Sequence, residues 1–172
     1  TYVTQAPPDG HTLLMGTTTL AINRTLQPNL TPRAPDRELA PIGMVFRTPF
    51  ILHVNPQVPA RTVAELVAYC KARPGEVAFG SPGTGSVSHL CLEIFRAQAG
   101  IDILHVPYRG SADALNDLLP NNVQMMNEIN NIPHVKAGKL HLLNINNPTR
   151  HWDFPDIPTL TELGHPDSDV PI

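Results

Sequence analysis

Short apolar runs alternate along the chain with stretches whose apolar residues recur at helical spacing. "HTLLMG" (11 to 16) is an apolar run closed by glycine, followed by a hydroxyl cluster and then "LAINRTL", which predicts a strand, a loop and a helix. After the proline-rich "LTPRAPDRELAP", the segments "IGMVF" and "FILHV" are apolar at strand length, with Pro49 and Pro56 marking their limits, and predict two strands. From Thr62 to Arg73 the residues Val63, Leu66, Val67 and Cys70 share one helical face, and Thr62 with Glu65 forms a capping box at its start. "EVAFG" (76 to 80) predicts a buried strand. Val87, Leu90, Cys91, Ile94 and Phe95 then line one face of a helix running to about Ala99. "DILHV" predicts a strand and "SADALNDLL" (111 to 119) a helix with Ser111 placed to cap it. "NVQMMN" and "KLHLLNI" predict two more strands, and "PTLTELG" carries a second Thr-x-x-Glu box with a terminal glycine.

Repeated strand-loop-helix units predict an α/β fold with a parallel sheet covered by helices, in which ligands sit beyond the carboxyl ends of the strands. Three loops fall there: "GTTT" (16 to 19), "GSPGTGSVS" (80 to 88) and "PYRGS" (107 to 111). Each puts hydroxyls and glycine at a helix start, where the first N–H groups lack partners within the helix and the dipole is positive, so a small anion can be held without a cation. The plainer reading of each loop is that its hydroxyls cap the helix and its glycines turn the chain. Arg109, the only cation inside these loops, has a planar donor fork suited to a carboxylate, or is simply solvated.

Composition narrows the choice. With 41% hydrophobic and 16% charged residues in 172, the chain can bury one medium core or two small lobes. A net charge of -3 supplies no basic field for a phosphate backbone, so no nucleic-acid partner is expected. No apolar run reaches the roughly 18 residues that span a bilayer, and "TYVTQAPPDGHT" has neither the basic start nor the apolar core of a signal peptide. The 19 prolines, roughly twice the usual share of about 5%, punctuate short elements rather than forming a repeat.

The chemistry of familiar motifs is missing. "GSPGTGSVS" has no following Gly-Lys-Ser/Thr and the wrong glycine spacing for a dinucleotide fingerprint, and neither Ser86 nor Ser88 sits in a nucleophile elbow. The eight histidines form no HExxH or compact Cys/His set, so no metal is expected at His89 or His105, and no cofactor is called for. Cys70 and Cys91 lie on apolar helix faces and read as buried thiols.

Taken in order, "APPDGHTLLMGTTTLAIN", the run from "FILHVNPQVPARTVAELVAYCKARPGEVAFGSPGTGSVSHL" through "HVPYRGSADALNDLL", "PHVKAGKL" and "PDIPTLTELG" resemble the tripartite tricarboxylate transporter substrate-binding proteins, also called the Bug or TctC family. The resemblance covers almost the whole chain. It implies a type II periplasmic-binding-protein fold: two lobes with mainly parallel sheets flanked by helices, closing like a Venus flytrap on a small carboxylate and passing it to a membrane permease. It also implies a periplasmic, monomeric protein that binds without turnover.

On this comparison residues 1–45 contribute to an outer lobe, 46–147 form the inner lobe, and 148–172 return to the outer one. The ligand-binding residues it implies are Thr17, Thr18, Ser81, Gly83, Thr84, Ser86 and Ser88, joined by Gly110, Ser111 and Asn127. Family chains carry a signal peptide, a first strand and a proline/glycine-rich loop ahead of this starting point, and more of the outer lobe after "HPDSDVPI", so an incomplete outer lobe is expected. Where the family has an acidic strand end resembling "VDLMFDN", this chain reads "VQMMNEINNIPHV", which sets Asn127 and Glu128 near the pocket. "LHLLNINNPTR" puts Asn144, Asn146 and Asn147 where the family has a small hydroxyl-rich end, and amides both donate and accept. Two other readings compete: a truncated relative acting as an interaction module or remnant, and a hydrolase pairing Ser86 or Ser88 with His89.

Overall fold

A computed structural model describes residues 2–46, 48–159 and 161–164. The chain divides into two compact units, Thr1–Phe46 and Arg47–Ile172. The first holds three short helices: α1 (Tyr2–Gln5), α2 (Thr19–Leu26) and α3 (Pro35–Glu38). Proline opens α3, where a missing N–H costs nothing, and Glu38 Oε1 accepts the Ala34 N–H at 2.7 Å.

The strands predicted at 11–16 and 42–46 do not form. Neither has a ladder partner among the described residues, and Leu13, Met15, Ile42 and Met44 are exposed. A strand takes its hydrogen bonds from a neighbour, so an apolar run of the right length without one stays irregular.

The second unit is built on one five-stranded sheet: β1 (Phe50–Val54), β2 (Ala78–Ser81), β3 (Leu104–Pro107), β4 (Met125–Asn127) and β5 (His141–Asn146), in the order β3-β2-β4-β1-β5. β2 runs parallel to β3 and β4, and β1 runs antiparallel to β4 and β5. Four strands therefore share one direction and β1 alone opposes them, so the sheet is mixed, with two parallel and two antiparallel ladders in place of the mainly parallel sheet the sequence predicts. The carboxyl ends of β2, β3, β4 and β5 lie along a single edge, where β1 begins.

Helix α4 (Val63–Lys71) has the predicted capping box: Thr62 Oγ1 accepts the Glu65 N–H at 3.2 Å and Glu65 Oε2 accepts the Thr62 N–H at 3.2 Å. Helix α5 (Val87–Ala99) starts at Ser86 and stops at Gly100, which adopts the left-handed conformation that ends a helix without strain in a residue lacking Cβ. These two helices cover one face of the sheet, packing Leu66, Cys70, Leu92 and Phe95 against Leu52, Val54, Phe79 and Met125. Helix α6 (Ser111–Leu118) covers the other face, with Ala114 and Leu118 against Ala78, Val123 and Met126. It lies so close to β2 that a Cβ on Gly80 would meet the Ala114 Cβ at 3.4 Å, with Tyr108 and Val123 side-chain atoms at 3.3 Å.

Helix α7 (Ile132–Lys136) follows a single 3-10 turn at Ile129–Asn131, and beyond β5 the side chains of Phe154 and Ile157 pack on Ile51 and Ile145. Thr159 bridges Ile145, and its box with Glu162 forms at 2.8 and 3.2 Å. Only a turn follows over 161–164; Leu160 and residues 165–172 lie outside the described residues.

Candidate functional site

Helix α5 and helix α6 each begin just beyond a parallel strand, so both N-termini open onto the edge where the strands end. The 82–86 loop between β2 and α5 is held from within. Ser81, fully buried at the end of β2, places its Oγ 2.7 Å from His105 Nε2, accepts the Gly83 N–H at 3.2 Å and lies 3.2 Å from the Gly83 carbonyl. Gly83 and Gly85 have φ of 135° and 80°, backbone open to glycine and strained for other residues. Ser86 Oγ accepts the His89 N–H at 3.2 Å and so caps α5.

His105 is clamped by stacking as well. Its ring centroid lies 4.7 Å from that of Phe79 and 4.0 Å from that of His89. Burial, with the neighbouring His89, pushes the His105 pKa down, and the Glu93 carboxylate partly opposes this. His89 Nδ1 accepts the Gly85 N–H at 3.2 Å, so the loop, the helix and the neighbouring strand are tied at three points.

The expected ligand-binding residues therefore divide by what their polar atoms already do. Ser81 and Ser86 spend their hydroxyls on the loop, Gly83 shapes it, and Thr84 stands exposed. Ser88, in the first turn of α5, is 1% exposed, and its Oγ makes no hydrogen bond of good geometry. Asn127, at the end of β4, is equally buried, and its Oδ1 has no protein partner.

Ser111 does not cap α6. Gly110 occupies the N-cap position in extended conformation with no side-chain bond, and Ser111 is the first helical residue, its hydroxyl turned to the Glu128 carboxyl. Thr17 and Thr18 belong to the first unit, where Thr18 precedes α2 without capping it through its side chain and Thr17 lines a shallow concavity with Leu14 and Leu20. Arg109 is exposed.

Glu128 is the centre of this edge. It is 5% exposed, directly follows β4, and meets Ser111 at the start of one helix and Ser88 at the start of the other. Burial pushes its pKa up, while the two hydroxyls favour the ionised form and partly hold it down. On the other side of β1, Asn144 on β5 is fully buried; its Nδ2 donates to Asn146 Oδ1 at 2.9 Å and its Oδ1 has no protein partner. Asn127 and Asn144 are both opposite Leu52, one on each side of β1, and so share a face of the sheet.

The Ser81–His105 bond had no local sequence signal, since it joins the last residue of β2 to the second residue of β3; the parallel register Phe79↔His105 is what creates it. Among the described residues no three His, Cys, Asp or Glu side chains gather as metal ligands would, and no helix is long and apolar enough to cross a membrane.

Two helix N-termini and buried polar atoms without protein partners thus lie along one edge of the sheet. The family model of the tripartite tricarboxylate transporter family receptors matches residues 1–172, and the chain belongs to that family. Among its relatives, Protein BugT of Bordetella pertussis is 39% identical over 165 residues, covering 92% of this chain and 50% of that one. The solved structure of R. palustris Rpa4515 with adipate superposes with a TM-score of 0.86 at 30% identity, covering 99% of this chain and 57% of that one. MatC (Rpa3494) from Rhodopseudomonas palustris, with bound malate, gives 0.85 at 29% identity, covering 99% and 58%. The chain spans about half the length of the curated relatives it matches.

Proposed function

We propose that this chain is the capturing part of an extracytoplasmic solute receptor that takes a small organic carboxylate between two lobes and delivers it to a membrane permease. In this reading residues 46–147 form the inner lobe, 1–45 and 148–172 belong to the outer one, and the protein works as a periplasmic monomer without turnover. The observation that carries it is the approach of the α5 and α6 first turns, Ser88 and Ser111, to the one residue Glu128 that follows buried Asn127. Unpaired N–H groups and a positive dipole end receive a carboxylate there with no cation required. The adipate and malate in the two solved relatives support the same ligand class. Gly83, Thr84, Gly110 and Ser111 supply the backbone and hydroxyl contacts of the inner lobe, and Thr17 and Thr18 those of the outer. Against a hydrolase pairing Ser86 with His89, Ser86 Oγ takes the His89 main-chain N–H and His89 Nδ1 takes the Gly85 N–H, so these two side chains do not pair.

The test is thermal unfolding with and without each of a panel of dicarboxylates, tricarboxylates and acidic amino acids. A ligand at about a hundred times its Kd stabilises the folded state by about 2.7 kcal/mol. For a chain of this size that raises the midpoint by roughly 5–10 °C. A cooperative melt that no acid in the panel shifts would refute the proposal.

A further inference from the structure

The groups buried along the ligand edge are unusual for an anion site in that they accept hydrogen bonds. Glu128 presents a carboxyl, and Asn127 Oδ1 and Asn144 Oδ1 are amide oxygens without protein partners, all on residues no more than 5% exposed. Asn144 cannot answer Asn127, because the two stand on opposite sides of β1 with Leu52 between them and the Asn144 amide nitrogen is already committed to Asn146. Among the described residues no lysine or arginine is buried. The Ser88 and Ser111 hydroxyls, one from each helix start, face the Glu128 carboxyl.

A ligand carrying nothing but carboxylates would satisfy the helix N–H groups and leave these acceptors buried and unpaired. It would also set a negative charge beside Glu128 in a low-dielectric setting. A ligand that bears a donor next to its carboxylate removes both costs. From this juxtaposition of two helix N-termini with Glu128, Asn127 and Asn144, we infer that the site selects acids carrying an ammonium or hydroxyl group near the carboxylate over plain dicarboxylates of the same length. The inference rests on the receptor reading above and goes beyond it by assigning Glu128 and the two asparagines as the residues that sort ligands. An ammonium group answers the charge of Glu128 as well as its hydrogen bonding, so the order expected is amino acid, then hydroxy acid, then plain diacid. Sites built to bond a polar substituent discriminate strongly against analogues lacking it, because the protein's own groups are then left unpaired.

The experiment is titration calorimetry with matched series that differ only in that substituent: succinate, malate and aspartate; glutarate, 2-hydroxyglutarate and glutamate; adipate and 2-aminoadipate. For the series of the length that fits, the amino acid is expected to bind at least about tenfold tighter than the plain diacid. In Glu128→Gln, which keeps an acceptor and loses the charge, the advantage of ammonium over hydroxyl is expected to disappear while the hydroxy acid keeps its lead over the plain diacid. In Asn127→Leu that lead is expected to shrink as well. The melting midpoint of each variant without ligand shows whether it is folded, and the wild-type series decides the matter even where a variant is not.

A plain diacid that binds as tightly as its amino and hydroxy counterparts would overturn this inference and leave the receptor reading standing. Binding of none of the acids would overturn both. An ammonium preference unchanged in folded Glu128→Gln would remove Glu128 from the assignment.

Discussion

His53 offers the sharpest quantitative test of the packing. It lies fully buried on β1, where its Nδ1–H donates to the Ile51 carbonyl at 2.9 Å and its Nε2 accepts from Asn131 Nδ2 at 2.8 Å. Burial is the main cause that pushes its pKa from 6.5 down to about 4; the Ile51 carbonyl opposes the shift and the charge of His134 adds to it. Because the folded pKa is depressed, the unfolded chain takes up a proton at pH values where the folded chain refuses it. Stability from this residue is thus fully present above pH 6.5, falls as the pH drops from 6.5 towards 4, and stays level below.

Between about pH 7.5 and about pH 5 the linkage amounts to about 2 kcal/mol, at 1.36 kcal/mol for each unit of pKa difference. Urea unfolding of the wild type and of His53→Gln at these two pH values measures it. The substitution removes the titration while every other ionisable group stays, so the wild type is expected to lose about 2 kcal/mol more than the variant on acidification. Equal losses in the two proteins would show that the unfolded and folded states bind the same proton at residue 53 and would refute the reasoning.

One further substitution and one labelling reaction test the loop and the core. Ser81→Ala leaves His105 Nε2 without its partner and frees the Gly83 turn, which is expected to lower stability by about 1–3 kcal/mol in thermal melts; a midpoint within a degree of wild type would count against the anchoring role. The Cys70 thiol, buried on α4, is pushed up to about 11, so a thiol reagent at about pH 8 is expected to reach it only in denaturant. Rapid labelling of Cys70 in the native protein would contradict its burial.

Much of the fold can be read from residues a few positions apart. The Thr62/Glu65 box and the end of α5 at Ala99 depend on contacts within one or two helical turns and are found where the spacing puts them; of the stripe read along α5, Cys91 and Phe95 are buried, while Leu92 takes the place of the half-buried Leu90 and Ile94. β1 and the run into Ser81 are equally plain, because a buried strand needs apolar residues on both faces. The same reasoning fails at 11–16 and 42–46, whose apolar runs look like strands until one asks which chain would pair with them. Of the ligand-edge residues, the loop serines and glycines stand out as a helix start, yet nothing in their spacing says that Ser81 is taken up by His105.

By itself, then, the sequence determined the helix ends, the apolar faces, the α/β class and, through its resemblance to a known family, the loops around which a ligand would be sought. Only the tertiary structure decided that β1 opposes the other strands, that Ser111 turns to Glu128 and yields the cap to Gly110, and that Asn127 and Asn144 flank Leu52 with acceptors unpaired. The division has one physical cause. Helical periodicity and capping are interactions between near neighbours in the chain, whereas strand direction, burial of a carboxyl and the partner of a hydroxyl depend on segments far apart in sequence, brought together only when the sheet closes.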